Sequence, residues 1–504
     1  MSLRLSSLDP NEPRAARDCR TCSRRRVKCD RSLETCRKCA LKGLPCPGYG
    51  LRIQWGQGVA SRGKLTGKAI PVLEAAPAKY QTERNTATST SSTPYNFAMS
   101  PDTIHNKFGL NLDLALFHPP DYVESNAFRD LIHYYDHVVA AVMPWVDGPD
   151  NAWRTIMLPL AMESEALLLA ILALSAEHYS SKTGSTLTGE HGPLSAHYRE
   201  RSLQLLAQNL RTELAENQKA HQGPACAMLA TILVLCNVEM IHCDSAVWPV
   251  HWKAARMITR RWTSSHHPRP TLDSGFRFLI KEAFVYDVFG STTTFDGEEQ
   301  IPCSVLDGED TQLFTQWLQL VQEVTIVERR RHAAMPADQY QLHSADMIQL
   351  QKRFKEATES SLLISQSLGF EGLQSDIATL LVLYQQAGLL YSYQALHRKD
   401  SALARKDCVE SVVDSIRLIQ NLDSFQHDLV WPLFLVGTES RNNPSRQKFA
   451  ESAMLEAMRS TAYSNCRLAL EFLRHFWTTD ELVVVDWVQF CRQESQKGLS
   501  FVVI

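Results

Sequence analysis

Six cysteines fall within twenty-eight residues near the N-terminus, at Cys19, Cys22, Cys29, Cys36, Cys39 and Cys46. Their spacing is C-x2-C-x6-C-x6-C-x2-C-x6-C, and it is an internal repeat: adding seventeen to the first three positions gives the last three. Two copies of one C-x2-C-x6-C unit predict two similar halves about a pseudo-twofold axis. A segment this short buries no useful core, so bonds to metal must supply most of its folding free energy. Thiolates at such spacing in a reducing compartment point to zinc, which takes four tetrahedral ligands. One zinc leaves two cysteines over. Two zincs need eight metal–sulfur bonds from six sulfurs, so two sulfurs must bridge. The repeat makes the bridging pair equivalent residues, and Cys19 with Cys36 is one such pair. Two divalent ions with six thiolates carry a net charge of −2, which the surrounding Arg and Lys offset.

The reducing compartment is itself a reading. Residues 1–19 contain no apolar stretch of the kind a secretory signal needs, so the thirteen cysteines of the chain do not imply disulfides. With 504 residues, 44% of them hydrophobic, the chain has material for two or more domains and at least one large core. That composition excludes a collagenous chain and one disordered throughout. The longest apolar stretch, around Ala166 to Ala176, is about half of the ~20 residues that a spanning helix requires, so no membrane partner is expected.

Charge is distributed unevenly. Between Arg14 and Arg52 twelve basic residues face three acidic ones, a net +9, which leaves −12 for the rest of a chain whose total is −3. A compact basic head on an acidic body is the electrostatic footprint of a nucleic-acid contact confined to one end. Arg24 and Lys28 lie four apart and share a helical face, whereas Arg25 lies above Cys29. Part of the basic run must therefore face phosphate or solvent, where it adds salt-dependent affinity without sequence information.

The stretch CRTCSRRRVKCDRSLETCRKCALKGLPC resembles the fungal zinc binuclear-cluster DNA-binding domain, the motif of a large class of fungal transcription regulators. The resemblance implies two bound Zn2+ ions, bridging by the first and fourth cysteines (Cys19 and Cys36), and halves each made of a short helix and an extended strand. It implies also that the first helix enters the major groove of double-stranded DNA and reads a G/C-rich triplet, commonly CGG. On matching positions Arg25 and Arg26 form the base-reading pair, while Lys28 and Arg31 contact phosphate. An arginine fork suits guanine, whose N7 and O6 both accept, and such a pair discriminates bases by about 1–3 kcal/mol. The sequence departs from the family at Glu34, where a proline usually stands two residues before the fourth cysteine. The RRRVK run is also suited to nuclear import.

Residues 1–18 read as a disordered basic N-terminus and 47–110 as a flexible linker. Six glycines from Gly48 to Gly67 punctuate the linker, and a TATSTSST tract precedes Pro94. Within it, Leu51, Ile53 and Trp55 alternate as a small extension of the cluster would. No heptad pattern follows the cluster, which leaves homodimerisation to the C-terminal body. A single module of this size buries only about 600–1,000 Å² on DNA, which favours a dimer or a cooperating partner.

From 111 to 504 the pattern predicts an all-α body of about a dozen helices. Predicted helical stretches are Ala127–Val142, Ser164–Tyr179 with Ser164 as N-cap, Ala225–Met240, Trp252–Trp262, Asp376–Arg398, Lys406–Leu422 and Ala450–Phe476. Stretches such as NAWRTIMLPLAMESEALLLAILALSAEHY, WPVHWKAARMIT, FVYDVFGSTTT and LVWPLFLVGTES resemble the fungal-specific transcription factor domain, which implies a regulatory role in sensing, self-association and recruitment of coregulators. The body carries no P-loop, G-x-S-x-G elbow, H-E-x-x-H or dinucleotide fingerprint, so no enzyme is expected. Cys226, Cys236, Cys243, Cys303, Cys408, Cys466 and Cys491 read as small apolar residues, and the adjacent His242 and Cys243 as no metal site. Trp248, Trp252, Trp262, Trp431, Trp477 and Trp487 read as core, and the terminal run through Trp487 as docked on the body or on a coregulator.

The expected architecture is thus a small zinc binuclear-cluster DNA-binding domain and a large all-α regulatory domain, joined by a disordered linker. The expected function is nuclear, sequence-specific regulation of RNA polymerase II transcription. The alternative, a zinc-organised interaction scaffold that never reads DNA, leaves the +9 excess and the paired arginines without a purpose.

Overall fold

A computed structural model of the chain describes residues 21–22, 25, 27–32, 36–44, 46, 110 and 125–504, except 190–191, 216–221, 243–246, 264–273, 296–299, 304–312, 335–343, 369, 371, 397–400 and 481–485. The expected N-terminal arm, and the expected linker apart from Leu110, lie outside the described residues. The chain divides into two compact units, Met1–Ser92 and Thr93–Ile504.

The first unit holds helix α1, Arg37–Ala40. The second contains sixteen α-helices among the described residues, against the dozen expected, and its β-structure is one antiparallel pair, Thr188–Gly189 with Gly192–Pro193. Helix α2 (Ser125–Tyr134) runs on as a π-turn to Val139 and a 3-10 turn to Val142. The π-turn coincides with Arg154, a fully buried side chain on α3 (Ala152–Thr155). Its Nε donates to the Asp136 carbonyl at 2.6 Å, and its Nη2 donates to the Asp147 carboxylate at 3.1 Å. The Leu110 amide donates to the Asp136 carboxylate at 2.8 Å.

The centre of the body is apolar helices packed side by side. After α4 (Met157–Glu163), α5 (Glu165–Thr183) begins at Ser164, whose Oγ accepts from the Leu167 amide at 3.4 Å, and ends at Gly184 with φ 71°. It packs against α6 (Leu194–Ala215) and α7 (Gln222–Ile241). Residues Gly223–Ile241 of α7 are long and apolar enough to cross a membrane, but 89% of that window is buried inside the body, as in a core helix. The expectation that no stretch reaches that length overlooked this segment, because Thr231, Asn237 and Glu239 interrupt its apolar run.

Helices α8 (Trp248–Thr263) and α9 (Ser274–Thr293) are joined through a buried polar knot. The Asp287 carboxylate accepts from Arg256 Nε at 2.6 Å, Trp252 Nε1 at 3.1 Å and the Ile301 amide at 2.6 Å. Every atom of that buried charge is thereby engaged, which offsets its desolvation. Next come α10 (Thr315–Ala334), α11 (Ser344–Ser367), α12 (Gln374–Ala395) and α13 (Ala402–Leu418). The last four are α14 (Val430–Thr438), α15 (Pro444–Thr461), α16 (Arg467–Thr478) and α17 (Trp487–Gln496).

One helix expected over Ala450–Phe476 is two. The backbone turns left-handed at Ala462 (φ 61°), and the Ser464 amide donates to the Met240 carbonyl at 3.2 Å, tying the break to the end of α7. Of the terminal run, residues 481–485 lie outside the described residues, and its end at Trp487 docks on the body. Trp487 is buried and its Nε1 donates to Gln394 Oε1 at 2.9 Å, while Phe501, Val502 and Val503 are also buried.

Gly388 lets α12 approach α10 and α11 closely. A Cβ there would stand 2.5 Å from Phe354 Cε1 and 2.7 Å from Trp317 Nε1. Gly388→Ala is therefore expected to cost about 1–3 kcal/mol by overpacking. Urea titration of the helical circular dichroism checks this, and an unchanged midpoint would show that those two rings move aside freely.

Candidate metal centre and DNA-facing surface

Two groups of three sulfurs form in the first unit. Cys22, Cys29 and Cys36 bring their Sγ atoms within 4.8 Å of one another, as do Cys36, Cys39 and Cys46. Cys36 belongs to both groups. Among the described residues, Cys22, Cys29, Cys36 and Cys39 are buried, with Leu44 and Cys46 packed partly against them. Cys22 Sγ lies 3.6 Å from Cys36 Sγ and 3.9 Å from Cys39 Sγ. Ligands about 2.3 Å from a tetrahedral zinc are themselves about 3.8 Å apart, so these sulfurs fit zinc. Backbone amides add support, since the Cys39 N–H donates to Cys36 Sγ at 3.3 Å and the Cys36 N–H to Cys46 Sγ at 3.4 Å. Such outer bonds orient metal ligands and stabilise thiolate charge. Cys19 lies outside the described residues.

The repeat is visible in the backbone. The Val27 amide donates to the Cys22 carbonyl at 3.0 Å, and seventeen residues later the Leu44 amide donates to the Cys39 carbonyl at 3.0 Å. In the second half this bond joins one from the Gly43 amide to the Ala40 carbonyl at 3.1 Å, and Gly43 sits at φ 60°. That is the glycine-closed helix end expected after α1.

A residue that the sequence reading passed over ties the halves together. The Asp30 carboxylate accepts from the amides of Arg37 at 2.9 Å and Lys38 at 3.2 Å, and from Ser32 Oγ. It thus caps the N-terminal end of α1 from the other half of the repeat, after the chain reverses at Arg31 (φ 62°). Partial burial pushes this carboxyl up, but hydrogen bonds from Ser32, from the amides of Arg37 and Lys38 and from its own amide outweigh that and hold its pKa at about 2. The available signal was an acid placed beside a metal-site cysteine in a strongly basic run.

Among the proposed DNA-contacting residues, Arg25, Lys28 and Arg31 are exposed, and Arg26 lies outside the described residues. The Arg25 amide donates to the Thr21 carbonyl at 3.2 Å, which places Arg25 on a helical turn. Arg37, Lys38 and Lys42 are exposed too, so buried sulfurs are set within a cationic surface. Glu34, the departure from the family pattern, lies outside the described residues.

In the body, Cys226, Cys236, Cys408, Cys466 and Cys491 are buried, as expected, while Cys303 is half-buried and Cys243 is outside the described residues. Burial pushes the thiols of Cys408 and Cys466 up to about 12, which leaves them unreactive at neutral pH. His242 pairs with Glu177 at 3.3 Å.

Because Asp30 is held below its ordinary value, the stability that it adds is present above pH ~4 and is lost as pH falls through about 2. At neutral pH, Asp30→Ala is expected to cost about 1 kcal/mol, as the loss of a helix cap does. Competition with a zinc chelator reads that cost, and an unchanged midpoint would show that the carboxylate's bonds contribute nothing.

Residues 17–56 match the profile of the fungal Zn(2)-Cys(6) binuclear cluster domain, and residues 130–502 match that of the fungal specific transcription factor domain. Among curated proteins, the acriflavine sensitivity control protein acr-2 of Neurospora crassa is 21% identical, over 54% of this chain and 57% of its own length. No solved structure matches. Both domains point to a zinc-binding, DNA-binding regulator of transcription and not to an enzyme. With the second profile covering most of its length, the chain belongs to the fungal transcription factors that join an N-terminal Zn(2)-Cys(6) cluster to a helical fungal-specific domain.

Proposed function

We propose that this chain is a nuclear, sequence-specific regulator of RNA polymerase II transcription, which reads CGG-like triplets through a two-zinc, six-cysteine cluster. The observation that carries the reading is the sharing of Cys36 between two groups of sulfurs. Two tetrahedral zincs need eight bonds. The five described cysteines of the head supply six, with Cys36 counted twice. Cys19 is the remaining cysteine of the head and the repeat partner of Cys36, so it supplies the other two as the second bridge.

Arg25 and Arg26 are the base-reading pair of this proposal, and Lys28 and Arg31 its phosphate contacts. Exposure of Arg25, Lys28 and Arg31 supports that division of labour. The +9 head provides the salt-dependent attraction that a duplex requires. Cluster geometry fixes the helical turn, and the arginine forks supply discrimination. A homodimer through the helical body would place two such readers on one site, and the same body would recruit coregulators or the transcription machinery.

Two measurements on the full chain test this. Native mass spectrometry is expected to find two zincs per chain, and Cys19→Ser and Cys36→Ser each to release both; one zinc would refute the bridged cluster. Arg26→Ala is expected to lower discrimination for the triplet by about 1–3 kcal/mol, with a smaller loss of nonspecific affinity, whereas Lys28→Ala weakens specific and nonspecific binding alike and leaves discrimination unchanged. Equal losses from Arg26→Ala would falsify base reading by that side chain.

A further inference from the structure

The helical body contains a cavity of about 110 Å³, walled by side chains that lie far apart in the sequence. Six aromatic residues line it: Trp145, Tyr286, Phe289, Tyr384, Trp431 and Tyr463. Trp431, expected to serve as core, thus serves both purposes. Trp145 meets Tyr384 edge-on, with centroids 5.1 Å apart, and Tyr384 lies nearly parallel to Trp431 at 6.5 Å.

Its charged chemistry has one sign. Glu282 and Asp428 both line the cavity, and the lining includes neither Lys nor Arg. Asp428 is only 5% exposed, and its Oδ2 has no hydrogen-bond partner. The nearest cation-forming group is His427, with Nε2 3.5 Å from that oxygen. That nitrogen instead donates to the Pro144 carbonyl at 2.9 Å, and burial pushes the imidazole's pKa down, so the ring is neutral. Burial raises the Asp428 carboxyl well above the usual carboxylate range. It raises half-buried Glu282 to about 7, against the opposing charge of Lys281.

We propose that this cavity is a binding site for a small organic cation of the alkylammonium class, held between the aromatic faces and the carboxyls of Asp428 and Glu282. The aromatic faces present negative quadrupoles to a cation. An anion would meet two carboxyls with no positive lining group, and a neutral apolar guest would leave Asp428 Oδ2 unpaired. Volume sets the size. A cavity of about 150 Å³ holds benzene, so this one takes a guest with a few heavy atoms and not a drug-sized ligand. That the site serves as the sensor of a regulator rests on the function proposed above; the binding itself does not.

The test is calorimetric titration of the full-length, zinc-loaded protein with three compounds that share a tert-butyl group: tert-butylammonium, tert-butanol and pivalate. The cation is expected to bind about tenfold or more tightly than the alcohol, and pivalate not at all. Asp428→Asn is expected to remove most of that preference while leaving the alcohol's affinity and the helical circular dichroism unchanged. If that variant does not fold, Glu282→Gln gives the second reading, a several-fold loss for the cation alone. Equal affinities for cation and alcohol, tighter binding of pivalate, or no binding of any of the three overturns the proposal. DNA binding by the same preparation is measured in parallel. A protein that takes the cation but ignores DNA upholds the site and counts only against the regulator.

Discussion

The N-terminal unit is drawn together at the sulfur of Cys36, which stands in both groups of cysteines. Its buried apolar surface amounts to four cysteines with Leu44 and Cys46 alongside. Hydrophobic burial on that scale is too small to order a segment whose stretch from Arg14 to Arg52 carries a net charge of +9. A divalent ion can, because it converts thiolates that would repel one another into ligands of a common charge. A shared sulfur then removes the independence of the two halves, so neither can unfold without disturbing the other's ligand set. The hydrogen bonds from Asp30 to the start of α1 add a second tie of the same sense.

Charge explains why this arrangement faces outward as it does. Cys22, Cys29, Cys36 and Cys39 are buried, whereas Arg25, Lys28, Arg31, Arg37, Lys38 and Lys42 are exposed. The cations moderate the charge of the sulfurs and at the same time present the only sign that a phosphate backbone attracts. Asp30 would oppose that attraction were it not committed to the amides of α1, where its charge answers the positive end of a helix. Acid and base are thus sorted by function within a few residues of each other.

What the sequence made legible was whatever is local. The seventeen-residue repeat predicts two similar halves, and the matching bonds from Val27 to Cys22 and from Leu44 to Cys39 display that similarity. Ser164 was readable as a cap because its partner amide lies three residues on. The break at Ala462 was not, since the bond that accompanies it runs from the Ser464 amide to the carbonyl of Met240, more than two hundred residues earlier. Asp30 was hidden for a related reason: its partners belong to the other half of the repeat. The cavity was the least legible feature. Trp145, Glu282, Tyr384 and Asp428 sit in stretches with no common pattern, and only the packing of the helices brings them together. Periodicity identified Trp431 correctly as buried but could not distinguish a core wall from a cavity wall.

The two units depend on different physics. Metal availability decides whether the head exists as a folded reader, while helix packing, close contacts such as that at Gly388, and paired buried charges such as Asp287 with Arg256 decide the body. If a guest in the cavity alters affinity for DNA, linkage requires DNA to alter affinity for the guest by the same factor. The same reciprocity holds for zinc, since an ion that orders the DNA-binding head must itself be held more tightly when the duplex is bound.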